Sequence, residues 1–330
     1  MKRDIYVFNN GEIKRKDNTL LFETDTDKRF IPVEEINNIW FFGEITFNKS
    51  FLEFISQKEI CLHFFNYYGY YVGSFYPREH LNSGYVILKQ AEHYLDYNKR
   101  IEIAKEIIIT GIKNIIVILK YYNGRGIDLD QNINSIVGKM EDMNYVNKIE
   151  QLMALEGNIR DEYYTCFNEI LKNEDFRFIQ RSKRPPLDNI NSLISFGNSL
   201  LYTTILGEIY QTQLDPRIGF LHSTNERRFT LNLDIAEIFK PIIVDRTIFS
   251  LINKGAITAK DFEKDFNGIL ISDKGKKKFI EEYNRKLDAV IRHPRLNMNV
   301  SYKRLIRLEL YKLQKHFTEG EKYEGFVAGW

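Results

Sequence analysis

Two stretches of the sequence, 215–239 and 152–167, hold residue types that divalent metal ions bind through nitrogen and oxygen. His222 lies in an irregular polar segment after an Asp215–Pro216 pair, which disfavours helix. Asp234 and Glu237 follow three residues apart, on one face of a predicted helix. One imidazole nitrogen with carboxylate oxygens, and open positions for water or phosphate, suits Mn²⁺ or Mg²⁺ better than a structural zinc ion. A histidine with two helix acids is by itself more often a solvated surface, so the pattern alone leaves both interpretations open.

Two predicted helices must position these side chains. The first begins near Leu233, because five apolar residues recur at helical spacing, and Pro241 is expected to kink it one turn after Glu237. The second carries Glu156, beside Gly157, on a helix with its own apolar stripe. The alternative interpretation of Glu156 is an exposed carboxylate paired with Arg160 at i+4.

Several long motifs, in order, resemble one protein family. They are LEGNIRDEYY at 155–164, RPPLDNINSLISFGNSLLY at 184–202 and DPRIGFLHSTNERRFTLNLDIAEIFKPIIVDR at 215–246. The N-terminal YVFNNGEIKRKDNTLLFE and HFFNYYGYYVGSFYPRE segments extend the resemblance over nearly the whole chain. The pattern resembles the CRISPR-associated adaptation integrase, the first of the Cas series, and most closely its type I-B branch.

The resemblance implies a metal-dependent DNA endonuclease that inserts short double-stranded spacers into a CRISPR array, as part of prokaryotic antiviral defence. In that family a Glu, a His and a second acid hold the catalytic metal, here Mn²⁺ or Mg²⁺. Matched motif by motif, these residues are Glu156 in LEG, His222 in GFLHS and Glu237 in LDIAEIFKP. The implied reaction is attack of a 3′-hydroxyl on a phosphodiester, with the metal polarising the phosphate. Asp234 is left as a ligand of a second ion, a base or, as we favour, a carboxylate that orients a ligand.

The resemblance also implies partners. These are double-stranded DNA, a second copy of the chain in a homodimer, and a small ferredoxin-like protein, the second of the Cas series. DNA contacts in such a complex are expected to be salt-sensitive, because they are made mainly to phosphates. Two alternatives stay open: a non-catalytic DNA-binding scaffold of the adaptation complex, and a metal-dependent phosphohydrolase acting on small phosphoesters. The intact Glu156, His222 and Glu237 argue against the scaffold.

The charge of the chain is unevenly distributed. The net charge is only +2 at pH 7 and the pI is near 8.2, which does not by itself indicate a nucleic-acid-binding protein. Residues 1–80 carry ten Lys/Arg and twelve Asp/Glu, whereas residues 271–330 carry fourteen and eight. We therefore expect any phosphate-facing surface in the C-terminal part. Its candidate DNA-binding residues are Arg285, Arg292, Arg295, Lys303, Arg304 and Arg307.

The pattern of apolar residues predicts an α+β fold in two domains. Residues 1–80 read as strands rich in aromatic and β-branched residues, in a β-sandwich-like domain with one short helix near Phe51–Ile55. The predicted strands are Ile5–Phe8, Glu12–Lys16, Thr19–Glu23, Ile39–Thr46, Ile60–Tyr68 and Tyr70–Tyr76. Its tyrosines at 67, 68, 70 and 71 exceed what a small sheet can bury, so we expect this domain to form the dimer contact. Residues 81–330 change to a helical period and form a larger all-α catalytic domain that binds metal and DNA, with its first predicted helices at Val86–Leu95, Ile101–Tyr122 and Ile133–Leu171.

The remaining sequence features favour a cytoplasmic protein. Cys61 and Cys166 lie in apolar surroundings and read as buried free thiols. No apolar segment is long enough to span a bilayer, and no signal peptide is evident. His63 and His80 have no acidic partners at ligand spacing, so we interpret them as structural histidines.

Overall fold

The structure is a computed structural model that describes residues 3–77, 81, 83–224, 229–265, 268–293 and 296–329. The chain divides into two units, Met1–Asn82 and Ser83–Trp330. No helix in the described ranges is both long and apolar enough to cross a bilayer.

The first unit is built of strands around one helix. Its described elements are β1 (Arg3–Val7), β2 (Gly11–Lys16), β3 (Thr19–Glu23), β4 (Lys28–Pro32), β5 (Ile36–Phe41), β6 (Ile45–Phe47), α1 (Lys49–Gln57), β7 (Cys61–Phe65) and β8 (Tyr71–Phe75). One four-stranded sheet has the order β1-β5-β7-β8, parallel except for the β7–β8 pair. The other has the order β4-β3-β2-β6, antiparallel except for the β2–β6 pair.

Both sheets and α1 contribute to a single core in this unit. Ile13 and Leu20 from one sheet, Ile39 from the other, and Phe51 from α1 are fully buried in the same cluster. Two sheets that share a core in this way form the β-sandwich-like arrangement that the strand pattern predicted. Strand β4 was not predicted, because its side chains are exposed apart from Ile31 and give no apolar alternation.

The second unit is mainly helical. Its described helices are α2 (Gly84–Leu95), α3 (Tyr97–Asn123), α4 (Asp130–Asp142), α5 (Ile149–Leu171), α6 (Asn189–Tyr210), α7 (Leu231–Phe239), α8 (Arg246–Asn253), α9 (Asp273–Asp288) and α10 (Tyr302–Glu319). Capping side chains set several of the starts: Asp96 accepts hydrogen bonds from two amides of α3, and Ser301 accepts one from Arg304 of α10. The α+β fold class is confirmed, with a strand-rich first part and a largely helical second part.

The helical unit differs from the prediction in two places. The predicted continuous helix 133–171 is two helices, α4 and α5, separated by a 3₁₀ turn at Met143–Tyr145. The unit is also not all-α, since it contains two antiparallel hairpins. They are formed by β9 (Phe262–Asp265) with β10 (Gly268–Ile271), and by β11 (Val290–Arg292) with β12 (Asn299–Ser301).

Helix α7 lies at the centre of the helical unit, packed against α3 and α6. A Cβ atom at Gly111 of α3 would lie 2.7 Å from the carbonyl oxygen of Glu237, so only glycine allows this close approach. The interruption expected at Pro241 takes the form of a π-helical segment, Lys240–Asp245, between α7 and α8. Asp234 and Glu237 are buried, so their side of α7 is a packed surface of the unit.

The predictions for the structural histidines and the free cysteines agree with the structure where it describes them. His63 is buried, with Nδ1 2.6 Å from Oγ of Ser74, as expected for a structural histidine. Cys61 and Cys166 are buried and free. His80 lies outside the described residues.

Candidate metal centre

The loop before α7 is fixed by side chains from its neighbours. Gln90 of α2 is fully buried, donates to the carbonyls of Asp215 and Ile218, and accepts from the amide of Asp215. The hydroxyl of Thr230 accepts a hydrogen bond from the amide of Gly219 and donates one to the carbonyl of Arg217. A Cβ atom at Gly219 would lie 2.8 Å from Oδ2 of Asp234, so the loop passes close to α7 only because this residue is glycine.

Asp234 binds this loop to α7. Its carboxylate is fully buried and accepts hydrogen bonds from the amides of Phe220, Leu221 and His222, at 2.5, 3.0 and 3.1 Å. The same carboxylate lies 2.7 Å from Nδ1 of His222. Because a carboxylate oxygen accepts hydrogen bonds, Nδ1 is the donor in this contact, and Nε2 is the ring nitrogen left for another partner. The geometry fits a carboxylate that orients a histidine, the role favoured for Asp234, and metal binding by His222 stays a prediction.

Arg160 joins the two carboxylates predicted from separate segments. Its Nε lies 3.1 Å from Oε1 of Glu156, one turn earlier on α5, and its Nη2 lies 2.6 Å from Oε2 of Glu237 on α7. The Arg160 side chain is only 11% exposed. The i+4 pair considered for Glu156 is therefore present, but it is part of a partly buried bridge to Glu237.

A second cation neutralises Glu237. Nζ of Lys240 lies 2.5 Å from its Oε1, and the ammonium also lies over the ring of Tyr202. Burial by itself would raise the pKa of Glu237, but Lys240, Arg160 and His222 together lower that pKa to about 2. Glu237 is thus an anion, and His222 is near enough to act on it electrostatically.

Behind this bridge lies a buried polar cluster. Burial raises the pKa of Asp245 to about 7, although Arg160, Tyr163 and Lys240 act in the opposite direction. Among the described residues, Oδ2 of Asp245, the hydroxyl of Tyr163 and Nη1 of Arg160 are buried without a hydrogen-bond partner. Arg160 therefore pairs with Glu156 and Glu237, and its charge also acts on Asp245.

The three predicted ligands suit a divalent cation by their chemistry. Glu156 and Glu237 already share one positive charge, and His222 has a ring nitrogen available as an acceptor. In the structure, the two glutamates are paired with the cations of Arg160 and Lys240. No group of three or more His, Cys, Asp or Glu in the described ranges is placed to hold a metal ion. Glu156, His222 and Glu237 would hold the ion, which would replace the charge that Arg160 and Lys240 supply.

Comparison with known proteins decides the family. The family model for CRISPR associated protein Cas1 matches residues 5–285. The chain belongs to the Cas1 family. A CRISPR-associated endonuclease Cas1 of Thermodesulfovibrio yellowstonii is 56% identical over 330 residues, all of both chains.

Solved structures agree with this assignment. The Cas1 protein of Thermotoga maritima has a TM-score of 0.89 at 46% identity, covering 98% of this chain and 99% of that one. A casposase bound to an integration product has a TM-score of 0.87, covering 99% of this chain and 93% of that one. At 21% identity, the casposase shares the fold alone.

In this Cas1-family chain the residues predicted to bind DNA have different surroundings. Arg307 donates from Nε to Oε2 of buried Glu208 at 2.6 Å, which makes it part of the packing of α10 against α6. Arg285 pairs with Glu282 on its own helix, and Arg292 donates to Asn297 at 3.0 Å. Arg304 is exposed, Lys303 is half-buried, and Arg295 lies outside the described residues. Their contact with DNA stays a prediction.

The sequence did not predict that Arg160, Lys240 and Asp245 lie at the candidate metal centre. Arg160 was considered only as an i+4 partner, because its contact with Glu237 joins residues 77 apart in the chain. Lys240 stands three residues after Glu237, the spacing of a helical ion pair, so that signal was available in the sequence.

Proposed function

We propose that this chain is a metal-dependent DNA endonuclease and integrase that joins short double-stranded DNA to a CRISPR array. The observation that carries the proposal is the single cation, Arg160, that gathers Glu156 and Glu237 beside a histidine oriented by Asp234. Membership in the Cas1 family, with curated relatives named endonucleases, supports the same activity.

When bound, Mn²⁺ or Mg²⁺ would polarise a phosphodiester and stabilise the charge that develops on its oxygens. The chain's own residues would supply the positioning. Asp234 keeps the proton of His222 on Nδ1 and holds the loop against α7. Arg160 and Lys240 balance the charge of Glu237 before the ion binds. Attack by a 3′-hydroxyl then depends on alignment more than on further acid–base groups.

We also propose the assembly that the family resemblance implies. The strand-rich unit would form a homodimer, and the dimers would join the small ferredoxin-like second protein of the Cas series. Two exposed tyrosines of the first unit support a contact there, since Tyr67 is 69% and Tyr68 46% exposed. The two rings contact each other, with centroids 5.5 Å apart, and contiguous exposed apolar side chains of this kind mark interaction surfaces.

The test is a nicking and strand-transfer assay on supercoiled DNA, with and without Mn²⁺ or Mg²⁺. His222→Ala removes one ligand, and His316→Ala removes a histidine on α10 whose Nδ1 lies near a backbone carbonyl. We expect metal-dependent nicking and strand transfer to fall by about 10²-fold or more in His222→Ala, since each ~1.4 kcal/mol of barrier is tenfold in rate. His316→Ala is expected to keep the activity.

Three other results would point elsewhere. DNA binding with no metal-dependent cleavage by the unchanged protein would favour the scaffold. Hydrolysis of small phosphoesters without DNA cleavage would favour a phosphohydrolase. Full nuclease activity in His222→Ala would rule out this metal centre.

A further inference from the structure

The loop that carries His222 is held on a second side, by residues at the corner where α2 ends and α3 begins. Gln90 of α2 fixes the start of this loop through its hydrogen bonds to the backbone. Arg100, near the start of α3, donates from Nε to the carbonyl of Phe220 at 2.8 Å. The corner therefore contacts the loop at its start and again two residues before His222.

Tyr94, near the end of α2, makes a further contact with the loop and supports Arg100 at the same time. Its ring lies against the guanidinium, whose carbon is 4.4 Å from the ring centroid. Its hydroxyl lies 2.8 Å from the hydroxyl oxygen of Thr224. A guanidinium stacked on a ring keeps its N–H groups in its own plane, so the stacking fixes the direction in which Nε donates. This pair of side chains thus holds the loop two residues before and two residues after His222.

The peptide group between Phe220 and Leu221 is held at both of its polar ends. Its N–H donates to the carboxylate of Asp234 on α7 at 3.0 Å, and its carbonyl accepts from Arg100 on α3 at 2.8 Å. A peptide group is planar and rigid, so two partners on opposite ends prevent it from rotating. Asp234 alone holds only the N–H end. The backbone that leads to His222 therefore depends on both helices.

We propose that Arg100, supported by Tyr94, is a positioning residue for His222. It fixes the peptide group through which the loop reaches this histidine, and with it the direction of the ring nitrogen that does not face Asp234. The role of that nitrogen as a metal ligand rests on the proposed function. The position of the ring does not, since it can be observed without metal and without DNA.

The first test observes His222 by nuclear magnetic resonance in the metal-free full chain, labelled with ¹⁵N at histidine. The chain has six histidines, and the signals that are absent from His222→Ala identify this one. Imidazole is ordinarily neutral at about pH 8.5, and a ring that donates from Nδ1 to Asp234 gives separate signals for a protonated and an unprotonated nitrogen. In Arg100→Met we expect these two signals to move toward each other, because a released ring exchanges between its tautomers.

Further variants identify the cause of such a change. Tyr94→Phe removes only the hydroxyl that faces Thr224 and keeps the ring against Arg100, so we expect a smaller movement in the same direction. Thr224→Val removes the other half of that contact, and the double variant is expected to match either single one. Lys99→Met is the matched control, because Lys99 also joins α3 to α2, through an ion pair with Glu92 that does not involve the loop. It is expected to leave the signals in place.

The second test measures nicking of supercoiled DNA over a range of Mn²⁺ concentrations. Loss of a side chain that orients a metal ligand weakens metal binding by about 10–100-fold. Arg100 acts through the backbone of the loop, so half-maximal nicking by Arg100→Met is expected at about tenfold more Mn²⁺. Lys99→Met is expected to keep the requirement of the unchanged protein. Affinity for a labelled duplex in EDTA, measured by fluorescence anisotropy, is expected to stay unchanged in both variants.

The outcomes separate this inference from the proposed function. Unmoved His222 signals in Arg100→Met, or equal movement in Lys99→Met, would overturn the positioning role and leave the nuclease proposal standing. Moved signals with an unchanged Mn²⁺ requirement would show that the position of His222 does not serve a metal. A loss of DNA affinity as large as the loss of nicking would make Arg100 a DNA contact instead.

Two further cases are also decided by these measurements. If the unchanged protein does not nick DNA, the proposed function fails, and the His222 signals still test the positioning role. If thermal melting shows that Arg100→Met does not fold, Tyr94→Phe tests the same contact by the loss of one hydroxyl. Unmoved signals in a folded Tyr94→Phe would then overturn the support assigned to Tyr94.

Discussion

Arg160 is expected to stabilise the metal-free protein and to compete with the metal. Arg160→Met keeps the length of the side chain and removes the charge that Glu156 and Glu237 share. Removing one partner of a buried ion pair costs roughly 3–5 kcal/mol. Lys240 remains on Glu237, so we expect the lower end, about 3 kcal/mol. At about 2–4 °C per kcal/mol for a unit of this size, Tm in EDTA is expected to fall by about 6–12 °C.

The same substitution is expected to strengthen metal binding. A ligand that binds only the folded state raises its stability in proportion to RT ln(1 + [L]/Kd). With the guanidinium absent, the metal has one fewer cation to displace from the two glutamates. The rise in Tm on adding Mn²⁺ is therefore expected to be larger for Arg160→Met than for the unchanged protein.

The assay is thermal denaturation at pH 7 with EDTA and with a Mn²⁺ titration. Glu237 keeps its charge there, since its lowered pKa of about 2 means that its contribution is lost only as pH falls from about 4.5 toward 2. Arg177→Met is the control, because Arg177 forms an exposed i,i+3 pair with Glu174 at 3.5 Å. Such pairs contribute at most about 1 kcal/mol. Equal Tm values for the two variants in EDTA, or equal Mn²⁺ responses of Arg160→Met and the unchanged protein, would refute the reasoning.

Three further outcomes are expected. Asp234→Asn places an amide group among backbone N–H donors and should reduce nicking, with DNA affinity by anisotropy unchanged; unaltered nicking would show that His222 is held by other contacts. In thermal melts, the stability of the Asp245→Asn variant relative to the unchanged protein should increase as pH rises from about 4 to 8. The raised pKa of Asp245, about 7, means that its protonated form favours folding below its ordinary pKa of 3.8 and that this advantage is lost as pH rises; a pH-independent difference would contradict this. Replacing Tyr67 and Tyr68 by Ser should shift the chain toward monomer in light scattering, and an unchanged mass would place the dimer contact elsewhere.

The candidate ligands could be proposed from the sequence because their local context is strong, and their binding of a metal stays a prediction. Glu156 and Glu237 lie on helices with clear apolar periodicity, and His222 lies in a loop marked by proline and glycine. What holds them was not predictable, since the contact between Arg160 and Glu237 depends on how α5 and α7 meet in space. The burial of Asp234 was also hidden, because a charged residue opposite an apolar stripe normally faces water.

The fold shows the same limit. Thr19–Glu23 was predicted with its exact bounds, since its apolar residues are buried in the core. The two hairpins of the helical unit were missed, because β11 and β12 are three residues long and mostly exposed. Short elements of this kind are stabilised by their neighbours and leave little trace in local composition.

Buried polar side chains outside the set of candidate ligands determine the position of the backbone that carries Glu237. Pro241 has no N–H to donate, and the backbone near it requires other partners. Asn114 of α3 supplies one, donating from Nδ2 to the carbonyl of Ile238 at 2.9 Å. The same amide group donates to the carbonyl of Phe326 and accepts from the amide of Ala328, so it ties the C-terminal segment to the end of α7. Gly111, one turn before Asn114 on α3, lets α3 approach the backbone carbonyl of Glu237. The position of the Glu237 carboxylate therefore depends on α3 as well as on its own helix.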